Sequence, residues 1–203
     1  MHLQLDCLKH LYETAKKEIL TSKYAYEVDI CEKRIFSDQT AKDFFIEYVF
    51  VVCNSGMRNQ VAEKIFKRYM KQGIVAIKHP LKKKAILEAE QNYEEWFKIL
   101  KIRKQQHNEL DFLESLPHIG KITKYHLARN LGLDVAKPDR HMQRLAELFG
   151  YVDPTHMCID IYAFTGEEYR VGTIDVILWR YCNLNPDYID LIENYKITTL
   201  IHE

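Results

Sequence analysis

The residues best suited to chemistry lie in one stretch, LPHIGKITKYHLARNLGLDVAKPDRHM, residues 116–142. Its first five, Leu116-Pro117-His118-Ile119-Gly120, read as a tight turn joining two short helices. Pro117 ends one helix, Ile119 pins the turn to the core, and Gly120 permits a left-handed or closely approached backbone. The helix from Lys121 then points its first amides outward. A helix N-terminus behind a compact turn offers backbone donors and a positive dipole end to an anion such as phosphate. Lys121 and Lys124 would add charge beside it. The turn carbonyls of Pro117 and Ile119 would hold a sodium or potassium ion that bridges to the same phosphate. At the other end of the stretch, Asp139 follows Lys137-Pro138. It opens a helix whose apolar positions are Met142, Leu145, Ala146, Leu148 and Phe149. Its local role is complete as an N-cap, because a carboxylate there accepts from unpaired first-turn amides.

These features need elements to hold them, and the periodicity supplies helices. The chain has 203 residues, 47% hydrophobic and 29% charged, the balance of an ordinary globular protein with one core or two small lobes. Gly is rare and β-branched alternation scarce. Apolar positions recur at helical spacing, which predicts helices near 3–20, 39–53, 57–72, 82–103, 109–115, 121–131, 139–149, 155–164, 170–182 and 186–195. The run AKDFFIEYVFVVC is too apolar for a surface helix and is expected at the centre of the fold. Asn54-Ser55-Gly56 breaks it, with Asn54 or Ser55 expected to cap the next helix. The five prolines sit at expected boundaries. The fold class is therefore all-α.

Several classes are set aside by composition. No apolar run reaches membrane-spanning length. The amphipathic, acid-bearing N-terminal segment lacks the apolar stretch of a signal peptide, so a cytoplasmic or nucleoid location is expected. Cys7, Cys31, Cys53, Cys158 and Cys182 are scattered, with no spacing that suits a zinc site or a disulfide framework. The formal net charge is zero, but it is unevenly spread. Arg58 to Lys84 holds nine Lys or Arg and one acid, Glu63, while Leu145 to the end holds ten acids and three Lys or Arg. Such a basic run is either a solvated helix face or the footprint of a phosphate-backbone partner.

Residues 116–142 resemble the helix-hairpin-helix (HhH-GPD) base-excision DNA glycosylases of the endonuclease III superfamily. That family pairs a Leu-Pro-Gly-Val/Ile-Gly hairpin and helix with an Asp that opens the next helix in a Val-Asp-Thr-His-like context. Here the hairpin is Leu116-Pro117-His118-Ile119-Gly120, Thr123 stands at the family's Thr position, and Asp139 matches the catalytic aspartate at a similar separation. More weakly, residues 44–69 look like the family's apolar helix and following loop-helix, and 171–182 like its late helix.

Three departures shape what the resemblance implies. His118 replaces the first hairpin Gly; at a positive φ it would carry a steric cost, or its ring would reach a phosphate. Bifunctional members carry a catalytic Lys two residues after the last hairpin Gly, and that position is Ile122, which cannot form a Schiff base. Cluster-bearing members have four Cys after the late helix, and Cys182 has no companions downstream, so no iron–sulfur cluster and no other cofactor is expected.

The resemblance implies a monomeric glycosylase acting on double-stranded DNA with a lesion or mismatch. Asp139 would stabilise positive charge on the sugar and orient water, giving a monofunctional enzyme. DNA contacts fall on His118, Gly120, Lys121, Thr123 and Lys124. Met57, Arg58 and Asn59 stand where the similar loop supplies a wedge that replaces the flipped base. Tyr24, Tyr26, Trp96 and Trp179 are aromatic candidates for the base pocket. A central lobe, 37–134, would end in the hairpin motif, and 1–36 with 135–203 would form the second lobe. Three alternatives stay open: a non-catalytic binding protein of the same fold, in which Asp139 only caps; a bifunctional enzyme using a nearby Lys; and an α-helical interaction protein unrelated to DNA.

Overall fold

The computed structural model describes the backbone of residues 2–201 and the side chains of residues 4–195. Its helices are α1 (His2–Leu20), α2 (Ala25–Lys33), α3 (Ala41–Asn54), α4 (Asn59–Gln72), α5 (Pro80–Gln105), α6 (Glu109–Ser115), α7 (Thr123–Asn130), α8 (Arg140–Leu148), α9 (Pro154–Phe164), α10 (Val171–Leu184) and α11 (Tyr188–Ile201). Short 3₁₀ turns cover Phe36–Asp38 and Gly73–Ala76. Among the described residues there is no strand, and no helix is long and apolar enough to cross a membrane.

The chain divides into two compact units, Ile35–Leu133 and the segments up to Arg34 and from Asp134. In the unit of residues 35–133, α3 is the central element, as its apolar sequence predicts: Phe44, Tyr48, Val49, Val51, Val52 and Cys53 are buried. A capping box starts it, with Thr40 and Asp43 satisfying each other's backbone amides. Pro80 opens α5 at a position where its missing N–H costs nothing. Phe97 from α5 packs on Phe44, while Leu113 and Leu127 from α6 and α7 are fully buried. The hairpin is anchored to this core by the Tyr48 hydroxyl, which donates to the Pro117 carbonyl at 2.5 Å.

In the other unit the central element is α10, buried along almost its whole length. Leu8, Tyr12, Val28, Met142, Met157 and Ile161 from its neighbours share its core cluster. Asp134 accepts from the Gly172 amide at 2.8 Å and so caps the start of α10. Arg180 is buried and paired with Glu27 through two hydrogen bonds, of 2.8 and 2.5 Å.

Helix α2 falls where the periodicity gave none. Its N-cap, Tyr24, makes no side-chain cap bond, so the sequence carries no start signal. It is held instead by burial of Val28 and Cys31 and by the Glu27–Arg180 pair. The expected capping of α4 by Asn54 or Ser55 is also corrected. The N-cap is Arg58, without a side-chain cap, and Ser55 ends α3. Gly56 takes a left-handed conformation, φ 69°, and so lengthens the turn between the helices.

Candidate functional site

The hairpin turn has one left-handed residue, and it is His118, φ 63°. Gly120 does not take a positive φ, and a side chain built on it would meet nothing within 4 Å. Of the two readings of Gly120, a left-handed turn and a closely approached backbone, the left-handed conformation falls to His118 instead. Its lack of a side chain leaves its outer face open. The Thr123 hydroxyl accepts from the Gly120 amide at 2.7 Å, and the Lys124 amide closes onto the Gly120 carbonyl at 3.0 Å. Helix α7 thus starts at Thr123 rather than at Lys121. The amides of Lys121, Ile122 and Thr123 have no acceptor among the described residues. They line a shallow open groove with Ser55, His118 and Gly120.

Charge around the turn differs from expectation at one point. Lys121 is exposed, but Lys124 is committed to Glu114, Nζ to Oε2 2.5 Å. That hydrogen bond raises the Lys124 pKa above its ordinary value and leaves little net charge for an incoming anion. His118 is half-buried with its ring 6.1 Å from that of His79. Burial first, then the Lys82 ammonium and His79, hold its pKa below the usual histidine value, which favours the neutral ring.

Lys82 is the residue that sequence reasoning placed wrongly. It was counted in the basic run, yet it is 5% exposed. Its ammonium donates to the carbonyls of Cys53, at 3.0 Å, and Ser55, at 2.6 Å. These are carbonyls at the C-terminal end of α3, so a cation there meets the negative end of the helix dipole. Burial lowers its pKa all the same. The same burial pushes the Cys53 thiol up to about 11.

This tether fixes the loop that holds the proposed wedge. Met57 is 37% exposed and Arg58 is exposed. Asn59 is engaged, accepting from Asn54 at 2.6 Å and donating to Glu63 at 2.8 Å. A cavity of about 80 Å³ lies between Cys53, Met57, Ile65, Arg68, Ala76 and Lys82. It is well below the roughly 300 Å³ at which ligand pockets begin.

Asp139 stands on its own unit as the N-cap of α8. One carboxylate oxygen, Oδ1, accepts from the amides of His141 at 3.0 Å and Met142 at 3.3 Å. The other, Oδ2, lies 3.7 Å from Lys137 Nζ, and the side chains are 16% and 17% exposed respectively. A three-residue turn about Pro138 joins them, the Asp139 amide donating to the Lys137 carbonyl at 2.7 Å. His141, half-buried, packs its ring 5.8 Å from Tyr188. Burial lowers its pKa against the opposing pull of Asp139. Burial and then the Asp139 charge push the Cys182 thiol far up.

Three of the four aromatic candidates have packing partners within their own units. The Arg180 guanidinium lies 4.2 Å from the Tyr24 ring and 4.6 Å from the Trp179 ring. Trp96 packs on Tyr48 at 5.7 Å. Tyr26 is 57% exposed on α2. Among the described residues no three His, Cys, Asp or Glu side chains gather as metal ligands.

The all-helical fold has a counterpart among solved structures. The fold is similar to that of the 8-oxoguanine glycosylase/lyase of Methanocaldococcus jannaschii, solved in complex with a 15mer DNA containing 8-oxoguanine. The match has a TM-score of 0.61 and 17% identity, and it covers 82% of this chain and 94% of that one. At that identity the likeness is one of fold. No protein-family model matches the sequence, and comparison with curated proteins gives no match.

Proposed function

We propose that this protein is a DNA glycosylase that flips out a damaged or mispaired base and hydrolyses its N-glycosidic bond. The observation that carries this reading is the fold likeness, joined to a fixed carboxylate, Asp139, whose second oxygen takes no part in capping and faces the Lys137 ammonium at 3.7 Å. The open amides of residues 121–123 and the bare face of Gly120 suit a phosphate oxygen approaching the backbone. Met57 and Arg58 are the wedge candidates that remain exposed. As the sugar–base bond breaks, positive charge builds on the sugar, and a fixed carboxylate largely withdrawn from water stabilises it. Ile122, 42% exposed, occupies the place of the hairpin amine, so water is the attacking group for base release. The chemistry calls on no cofactor.

A panel of duplexes, each carrying one damaged or mismatched base, tests this. The structural neighbour's DNA makes an oxidised guanine the first member of the panel. Wild type is expected to release one class of base, and Asp139→Asn to lose that release by about a hundredfold or more. Salt-sensitive DNA binding with no release from any duplex would instead favour a non-catalytic binding protein of the same fold.

A further inference from the structure

We propose that the C-terminal end of α5 is a second DNA-binding surface, separate from the hairpin, on which Lys98, Lys101 and Lys104, with Arg103 beside them, take the phosphate backbone of another duplex segment. The proposal rests on the reading that DNA is the partner of the hairpin, and it adds a surface that base release does not need. Charge along α5 comes in three blocks. Lys82, Lys83 and Lys84 lie near its start. Glu88, Glu90, Glu94 and Glu95 follow, all exposed, with no Lys or Arg between Lys84 and Lys98. Lys98, Lys101, Arg103 and Lys104 close the helix, also exposed, and the next acid in the chain is Glu109. Lys82 tethers Ser55, which lines the hairpin groove. Lys104 stands 22 residues further on, about 33 Å along the helix axis. The acidic block between them repels a phosphate backbone, so a duplex seated at the hairpin does not continue along α5 onto the last block.

Three features distinguish that last block from an ordinary solvated face. None of its four cations makes an ion pair among the described residues, whereas Lys16, Lys33, Lys124, Lys137 and Arg180 each have a carboxylate partner. Two of the ammoniums are also held in place. Lys101 Nζ lies 5.1 Å from the centre of the Phe97 ring and Lys104 Nζ 5.7 Å from that of Phe36. Those two buried rings are 5.9 Å apart. Like charges are thus seated on one aromatic floor, at a three-residue spacing where they oppose helix formation. Finally, the helix end does not call for them. The carbonyls of Arg103 and Lys104 already accept from the amides of Gln106, His107 and Asn108, with His107 left-handed at φ 55°. The helix dipole favours cations in the last turn, which Lys98 and Lys101 precede.

The composition of the block selects its partner. Lysine is depleted from protein–protein interfaces, and Ile102 is the one exposed large apolar side chain between Lys98 and Lys104. A row of ammoniums without a carboxylate instead matches phosphates repeated along a backbone, which lysine neutralises with release of counterions. Two such surfaces let the chain hold a second DNA segment while the first lies at the hairpin, and so pass between segments without full release.

The test uses the full-length chain and short unmodified duplexes. Titration well above the dissociation constant counts duplexes per chain, and donor and acceptor dyes on separate duplexes report their joint capture. Wild type is expected to take two duplexes per chain and to give energy transfer. K98Q/K101Q/K104Q is expected to take one, to lower energy transfer about tenfold or more, and to release base from a lesion duplex at the wild-type rate. Its residual joint capture at low salt should show a log–log salt slope smaller by about 2.7, three contacts at about 0.9 each. K98R/K101R/K104R keeps the charge and is expected to keep capture. K17Q/K23Q/K33Q removes the same charge from exposed positions elsewhere and leaves capture unchanged. One duplex per chain in wild type, capture undiminished in K98Q/K101Q/K104Q, or capture lost in the arginine variant overturns the proposal. So does occupation of the block by poly-glutamate in preference to duplex at matched charge, which assigns it to an acidic protein. Base release with one duplex per chain sinks the second surface alone. Two duplexes per chain, reduced to one in K98Q/K101Q/K104Q, with no base release from any lesion duplex supports the second surface and sinks the glycosylase reading.

Discussion

The turn at residues 117–120 and the turn at residues 137–139 are both short and both start a helix, but they present different atoms. The first offers main-chain groups: the amides after Gly120, beside an exposed Lys121 and a Lys124 drawn aside to Glu114. The second offers side chains: one carboxylate and one amine held together by a proline turn. A backbone site depends on conformation more than on residue type. His118 can therefore stand at the left-handed position where glycine would be easiest. A side-chain site depends on identity, and Asp139 has no substitute with the same charge at that reach.

The sharpest way to test this contrast is to change Asp139 while keeping its geometry. Asp139→Asn is expected to retain the cap, with stability altered by less than about 1 kcal/mol, since Asn and Asp cap equally well. Catalysis should still collapse as stated above. Parallel melting and base-release assays separate the two effects, and a large loss of stability would break the comparison by making Asp139 chiefly structural.

Next in size is Lys82→Met, which removes the donor to two carbonyls of the α3–α4 loop. Leaving buried acceptors unpaired should cost about 1–3 kcal/mol. Lys83→Met, at an exposed neighbour, should stay within about 0.5 kcal/mol. Equal denaturant midpoints for the two variants would refute the assigned tether.

Gly120→Ala probes the backbone site directly. The added methyl meets no neighbour and φ is ordinary, so folding is unaffected. DNA affinity at fixed salt should fall about tenfold, or about 1.4 kcal/mol, as the methyl blocks the approach of a phosphate. Unchanged anisotropy titrations would place the phosphate elsewhere.

The smallest effect is expected at His118. His118→Gly relieves the left-handed residue, and after glycine's own entropy cost should stabilise by about 0.5–1 kcal/mol. The pH dependence sharpens this. The folded pKa of His118 lies below 6.5, so the unfolded chain takes up a proton first as pH falls. Stability from this group is therefore complete above about pH 6.5 and is lost on acidification. His141 acts with the same sign in the other unit. The variant should show a shallower slope between neutral and mildly acid pH, not a flat one, in melting curves.

How much of this was legible in the sequence follows from how each feature is held. Helices with their own apolar stripe or cap declared themselves, as α3 did through its apolar run and Asp139 through its place before α8. Helix α2 did not, because its stability comes from Arg180, far along the chain. The same distance hid Lys82: a lysine among lysines looks solvated until the fold brings the end of α3 over it. Lys137 stands beside Asp139 in the sequence, but its approach to Oδ2 depends on a turn set by backbone hydrogen bonding, which side-chain patterns do not declare.

The buried ammonium of Lys82 also gives the protein an internal stopwatch. In a run where Lys83 and Lys84 are exposed, it alone is shielded from an amine-labelling reagent. Its acylation must wait for the loop at Cys53–Ser55 to let go, so the labelling rate at this one position reports how often the loop beneath Met57 opens.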